Sequence, residues 1–215
     1  MWKIISICGI DGSGKTTQLK LLAEHLSHKK LKFKYVWFRW PAFFSYPFLA
    51  ICRLLGYTKW KITHNNTRYV KRKFYRNKAI AKLWSWLFTT DVLIHSLFRI
   101  IIPSKLGYRI LCDRYIPDIL VDLMCDTGDE DLHKKMPGRL LLTSGLNSST
   151  IILIDVNEQT AYERKSDIPS IEYLRERRHL YLKIAHALKI PIINGEKKTA
   201  NVHWEIMRIL TVSQS

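Results

Sequence analysis

The chain has 215 residues, 47% of them hydrophobic, and carries 35 Lys and Arg against 18 Asp and Glu, a formal charge of +17 at pH 7. That apolar share excludes global disorder, and the length suffices for one domain with a sizeable core and a small lid. The charge asks for an anionic partner: a nucleotide, a nucleic acid or an acidic membrane.

In chain order, short apolar runs alternate with helical patterns. The expected strands are WKIISIC (2–8), FKYVWF (33–38), YRILC (108–112), TIILIDV (150–156) and IPIIN (190–194). Between them, helices are expected over 15–29, across 46–102, and over 116–124, 157–166, 170–187 and 199–212. The basic runs RYVKRKFYRNK (68–78) and YLRERRHLYLK (173–183) both read as helices, and the acidic DTGDEDLH (126–133) as a surface loop. The strand runs are continuously apolar rather than alternating, which fits a parallel sheet buried on both faces. With helices between the strands, the expectation is an α/β fold with a doubly wound, five-stranded parallel sheet. No repeat or Pro/Gly/Ser-rich linker interrupts it, so 1–215 reads as a single domain.

The segment 83–103 is nearly long enough to span a bilayer. Asp91, His95 and Arg99 recur at helical spacing on one face, however, so it reads as an amphipathic helix with a polar stripe toward a cleft. Cys8, Cys52, Cys112 and Cys125 lie far apart, with no CxxC pair and no His at zinc spacing. They read as reduced thiols of a cytoplasmic protein. The first apolar run stops at a glycine loop, which is not the layout of a secretory signal.

That loop, GIDGSGKTT (9–17), carries the first chemistry. Its glycines let backbone N–H groups converge on an anion at a helix N-terminus. The expected ATP-binding residues are Gly9, Ile10, Asp11, Gly12, Ser13, Gly14, Lys15, Thr16 and Thr17. Lys15 would reach the β- and γ-phosphates and Thr16 would ligate Mg²⁺. In a doubly wound sheet the remaining site residues belong at the carboxyl ends of the strands. The second strand delivers Arg39-Trp40-Pro41, the third Asp113-Arg114-Tyr115, and the fourth Asp155 followed by a basic lid, YERKSDIP (162–169). Asp113 can hold Mg²⁺ through water. Arg39 and Arg114 suit a second phosphate, because guanidinium pairs with phosphate oxygens, so the acceptor should itself be anionic. A base-reading Asn-Lys-x-Asp loop is absent from the sequence: Asn77-Lys78 is followed by Ala79-Ile80. That argues against a GTPase switch.

The chain resembles the thymidylate kinase family of P-loop nucleotide kinases. GIDGSGKTTQ, RWP, LFTTDVLIH, CDRY and IDVNEQTAYERK occur in that family's order, and IEYLRERRHLYLKIA resembles the helix after its lid. The resemblance implies ATP- and Mg²⁺-dependent phosphoryl transfer to a nucleoside monophosphate, with dTMP favoured, by a homodimer that needs no nucleic acid. It implies that Asp11 touches the acceptor sugar's 3′-hydroxyl, that Arg39 and Arg114 handle phosphate, that Phe88 stacks on the acceptor base and that Tyr115 lines the pocket. Gly12 stands where some members carry an arginine, so the transition-state cation falls to Arg164 or Lys165 of the lid, about 162–172. Adenine would rest against the lid helix and NGEKKT (194–199).

Several positions depart from the family, all on the acceptor side. Val92 replaces the arginine that meets the thymine carbonyl, Ala42-Phe43-Phe44 follows the Arg-x-Pro turn, and Ile116-Pro117-Asp118 lacks a hydroxyl. The aromatic and basic stretch of about 42–80 has no detailed counterpart. Two other readings therefore stand beside the first. One is a kinase of the same fold for another anionic or amphiphilic acceptor, with peripheral membrane contact. The other is a nucleic-acid-binding ATPase.

Overall fold

The computed structural model describes residues 2–38, 43–62, 68–146 and 149–212. Arg39, Trp40, Pro41 and Ala42 lie outside the described residues.

The chain opens with β1 (Ile4–Cys8), the loop, α1 (Lys15–His28) and β2 (Phe33–Trp37). Next come α2 (Ser45–Leu54), β3 (Thr58–Ile62), β4 (Arg68–Arg72) and a 3₁₀ turn at Phe74–Arg76. The long helix α3 (Lys78–Ser96) runs through a π-helical turn, Leu97–Ile101, into α4 (Ile102–Lys105). Then follow β5 (Arg109–Asp113), α5 (Ile116–Thr127), a 3₁₀ turn at Leu132–Lys134 and α6 (Met136–Leu146). The chain finishes with β6 (Ser149–Asp155), α7 (Glu158–Arg164), α8 (Ile171–Leu188), β7 (Ile192–Asn194) and α9 (Thr199–Val212).

The main sheet has five parallel strands in the order β2-β5-β1-β6-β7, flanked by helices. The continuous apolar runs are the reason β1 sits in the middle. Ile5, Ile7, Ile110, Leu111 and Ile152 are fully buried, each worth about 1.5–3 kcal/mol of transfer free energy. The chain leaves β1 toward β2 and β5 on one side and reaches β6 and β7 on the other, so a crevice opens beyond its carboxyl end. This is the α/β architecture expected from the sequence.

Three regions differ from the expectation. The stretch read as helix across 46–102 contains an antiparallel hairpin, β3 with β4, outside the main sheet. Lys73 N–H to the Tyr57 carbonyl, 2.8 Å, closes its base. The basic run 68–78 is therefore strand and 3₁₀ turn in its first nine residues, and helix only from Lys78. Asn77 starts α3, its side chain accepting from the N–H groups of Ala79 (2.9 Å) and Ile80 (3.3 Å). Second, α6 is an additional helix. Third, Asp126, expected on a surface loop, is buried at the end of α5, with Arg72 Nη1 at 3.5 Å.

The polar stripe also resolves differently. Asp91 is buried and accepts the N–H groups of Phe43, Phe44 and Ser45 at 2.9–3.0 Å, so it caps α2. The π-helical turn breaks the 3.6-residue period before Arg99, which is exposed, whereas His95 is half-buried. By length and composition alone, Lys78–Lys105 could cross a membrane; here its helix α3 packs against α5 and α6.

Candidate active site

The loop from Gly9 to Gly14 turns directly from β1 into α1. Gly9 (φ +143°) and Gly12 (φ +85°) take backbone conformations that L side chains resist. A Cβ on Gly9 would stand 2.4 Å from the Ile154 carbonyl oxygen, and one on Gly12 2.3 Å from that of Ala161. The second contact matters functionally, because Ala161 lies in α7. Gly12 lets the lid helix rest directly on the loop.

Lys15 is 5% exposed, and its Nζ donates to the carbonyls of Gly9 and Ile10, each at 2.7 Å. Burial, and then the nearby Arg114 charge, hold its pKa below the ordinary lysine value; Asp11, Asp118 and Asp113 act in the opposite direction. Thr16 Oγ1 donates to Asp113 Oδ2 at 2.8 Å, so hydroxyl and carboxylate already stand side by side. The Tyr35 hydroxyl donates to the same oxygen, and burial followed by this bond pushes its pKa up. The parallel register Trp37↔Asp113 brings β2 and β5 together here, and Trp37 reaches the cavity.

Arg114 follows at φ +65°, a left-handed conformation that non-glycine residues take at a cost of about 1–3 kcal/mol and that clusters at functional sites. Its guanidinium pairs with Asp11. Burial would lower its pKa, but Asp11 and then Asp118 outweigh that, and the net shift is upward, so it stays charged. Lys165 Nζ lies 3.8 Å from Asp11, and Arg164 Nη1 donates to the Gly195 carbonyl at 3.0 Å.

These groups share one cavity of about 600 Å³. Asp11, Gly12, Ser13, Gly14, Lys15, Thr16 and Thr17 line one wall, Asp113 and Arg114 another, and Arg164, Lys165, Gly195, Lys197 and Thr199 the rim. Gly9 and Ile10 lie beneath as the carbonyl partners of Lys15. Phe88 and Tyr115 are elsewhere. Phe88 is 1% exposed and stacked on Trp84 (centroids 4.9 Å apart, planes 21° apart), which in turn stacks on Phe48 at 5.9 Å. Tyr115 is equally buried, edge-on to Phe38. Asp155 points into a two-pronged pair with Arg178 at 2.7 and 2.8 Å, clamping α8 to the end of β6.

Asp118, notable in the sequence only for lacking a hydroxyl, has a larger place in the structure. It is buried, accepts the Tyr115 N–H (3.3 Å) and the Tyr181 hydroxyl (2.7 Å), and acts electrostatically on Lys15 and Arg114. Burial pushes its pKa up to about 6 against the pull of those two cations. Its position four residues after Arg114, at the start of a helix, was a usable signal. Tyr35 and Trp37, two apart on β2 and so on one face, were another. Among the described residues no cluster of three or more His, Cys, Asp or Glu could by itself hold a metal ion. The oxygen pair Thr16 and Asp113 suits a hard cation shared with phosphate, since Mg²⁺ takes few protein ligands and keeps several waters.

A five-stranded parallel sheet flanked by helices, with a glycine loop closing on Lys15 at the start of α1, is an α/β fold of the P-loop kinase type. No family model matches the chain. Curated proteins similar to it over nearly its full length are thymidylate kinases. It is 24% identical to that of Ligilactobacillus salivarius, with 97% of each chain covered. It is 28% identical to a probable thymidylate kinase of Methanocaldococcus jannaschii, covering 94% of this chain and 92% of that one. With that of Thermosipho melanesiensis it shares 27%, covering 96% of each.

Proposed function

We propose that the protein transfers the γ-phosphoryl group of ATP to the 5′-phosphate of a nucleoside monophosphate, with dTMP as acceptor. One observation carries this reading: a single cavity gathers a triphosphate-binding loop, an arginine held on a carboxylate, and two lid cations. A hydrolytic switch uses a single added arginine on the γ-phosphate, whereas Arg114 on Asp11 together with Arg164 and Lys165 on the rim offers enough positive charge for a second phosphate as well. The thymidylate kinases similar to this chain support the choice of acceptor.

In this reading Lys15 exchanges its two carbonyl partners for β- and γ-phosphate oxygens, a trade that a buried ammonium favours because the anion carries full charge. Thr16, and Asp113 through water, would hold Mg²⁺, which when bound supplies charge neutralisation on the phosphates. Arg114 leaves Asp11 for the acceptor phosphate, freeing Asp11 for the 3′-hydroxyl of the sugar. Arg164 and Lys165 supply positive charge from the rim as the transferring group becomes more exposed, and the lid excludes water. Adenine rests beside Gly195, Lys197 and Thr199. Phe88, enclosed by Trp84, shapes the acceptor side from behind rather than stacking on the base. The exposed strip Ile94, Leu97, Phe98, Ile102 and Leu106 would serve as the interface of a homodimer.

The test is a panel of nucleoside monophosphates with ATP and Mg²⁺, following diphosphate formation, with Lys15→Ala as control. Formation of dTDP well above the other diphosphates is expected. ATP consumption indifferent to every nucleoside monophosphate would overturn the reading.

A further inference from the structure

Residues 25–90 contain fifteen Lys or Arg and no Asp or Glu, so nearly all of the net charge of +17 arises within this one stretch. The same stretch holds the largest concentration of exposed apolar side chains. On α2, Cys52 is buried and Phe48 packs on Trp84, while Ile51, Leu54 (88% exposed) and Leu55 form the opposite, outward face at i, i+3, i+4 spacing. At its start Phe43 and Phe44 stand in solvent, edge to face at 5.0 Å. Past its end, β3 is exposed at Lys59, Trp60, Lys61 and Ile62, so both faces of the strand are in solvent. A strand alternates its faces, which puts Trp60 and Ile62 on one side and Lys59 and Lys61 on the other. Arg53 on α2 adds an exposed cation beside Leu54.

An apolar surface of this kind on a folded protein marks an interaction site. We propose that α2 and the β3–β4 hairpin form a docking surface for an anionic lipid bilayer, with the aliphatic face of α2 and Trp60 entering the headgroup layer and Arg53, Lys59 and Lys61 meeting the lipid phosphates. Charge complementarity selects this occupant. A second copy of the chain would bring one all-cationic surface against another, which repels. Nucleic acid is anionic, and Phe43, Phe44 and Trp60 are rings it could stack on, but the outward face of α2, Ile51, Leu54 and Leu55, with Ile62 on β3, is aliphatic and offers it neither ring nor hydrogen bond, whereas aliphatic side chains beside Trp and Lys are what an interfacial membrane element presents. The hairpin's place supports the surface role: it belongs to a separate two-stranded sheet, held at its base by Lys73 and Tyr57.

The experiment is co-sedimentation of the full chain with vesicles of phosphatidylcholine alone and with 30 mol % phosphatidylserine (~30%, near a cytoplasmic leaflet). Partitioning onto the anionic vesicles, falling as salt rises, is expected, with little onto the neutral ones. Each surface lysine contributes roughly a fivefold factor, so Lys59→Glu with Lys61→Glu should weaken binding by about 25-fold or more. Leu54→Asp with Leu55→Asp should do the same; both sites are exposed, so unfolding is not expected, and a melting curve confirms it. Equal weak binding to both vesicle types overturns the proposal. So does a Leu54/Leu55 variant that changes oligomeric state and keeps its vesicle binding, or a chain that binds duplex or single-stranded DNA and ignores vesicles. None of these outcomes depends on which acceptor the enzyme phosphorylates.

Discussion

Two halves of this molecule meet at Arg114, and they are built by different means. The half that would hold the donor in the proposed reading, from the glycine loop through Asp113 to α7, is polar, backbone-dense and tightly specified: Gly12 leaves no room for a Cβ against the Ala161 carbonyl, and Thr16 donates to Asp113. The half that would hold the acceptor in that reading, from Phe43 to Ser96, is filled by an aromatic stack, Phe48–Trp84–Phe88 with Phe74 edge-on, behind a hairpin whose outer strand β3 is exposed. Phosphate chemistry constrains the first half, since only certain backbone shapes bind a triphosphate. Packing constrains the second, where any set of rings of the right volume suffices.

The comparison is tested hardest on the donor side. Lys15→Ala should lower kcat by about 10²–10³-fold or more, since it removes a preorganised cation from the phosphate site. It should not lower stability, because the buried ammonium is held against its desolvation cost. Steady-state turnover together with a melting curve checks both; full activity would mean that the loop is not where ATP binds.

Where α5 packs against the aromatic half, the largest effect should be one of pH. Asp126 is buried beneath Arg72, and burial pushes its pKa up to about 7 from the ordinary 3.8, outweighing Arg72. A carboxyl with a raised folded-state pKa binds more protons folded than unfolded. Stability from this group is thus present at acid pH and lost as pH rises from about 4 to about 7. Asp118, pushed up to about 6, adds in the same direction over a narrower window. Asp126→Asn should remove about 2–4 kcal/mol of this pH dependence, seen as a smaller gap in Tm between pH 5 and pH 8. An unchanged gap would mean that the carboxyl is ionised and fully paired with Arg72.

At the seam, Arg114→Lys should raise KM for the acceptor by about 10–100-fold while leaving KM for ATP nearly unchanged, because an ammonium cannot pair two phosphate oxygens at once. An equal rise for both substrates would place Arg114 on the donor phosphates instead.

How much of this was legible in the sequence follows the same division. The loop and the strand ends could be read because Gly9, Gly14, Lys15, Thr16 and Asp113 occur at spacings that one chemistry demands, and the continuous apolar runs of β1, β5 and β6 show a buried parallel sheet. The hairpin was hidden. TKWKI does alternate basic and apolar residues after its Thr, a period-two pattern, but its partner RYVKR does not, and its density of Lys and Arg suggests solvated helix. Helix α6 was obscured by its two glycines; a Cβ on Gly138 would meet the Leu132 carbonyl at 2.1 Å, so that glycine serves close packing and not a turn. Asp91 and Asp126 looked like site and surface residues because a carboxylate's burial depends on distant partners, here the α2 backbone and Arg72.

The smallest expected effect is the most informative about the acceptor half. Phe88 lies in the helix where the family resemblance puts base stacking, yet one face of its ring is covered by Trp84 and almost none of it reaches solvent. If packing is its role, Phe88→Leu shortens the stack without opening a large cavity and costs about 1 kcal/mol of stability. That is a shift of about 2–4 °C in Tm for a chain of this size. KM for dTMP should then change by less than about twofold, because one apolar side chain replaces another behind the pocket wall. A tenfold rise in KM at unchanged Tm would show instead that Trp84 swings away when the acceptor enters, and that the stack is a closed state of the base site.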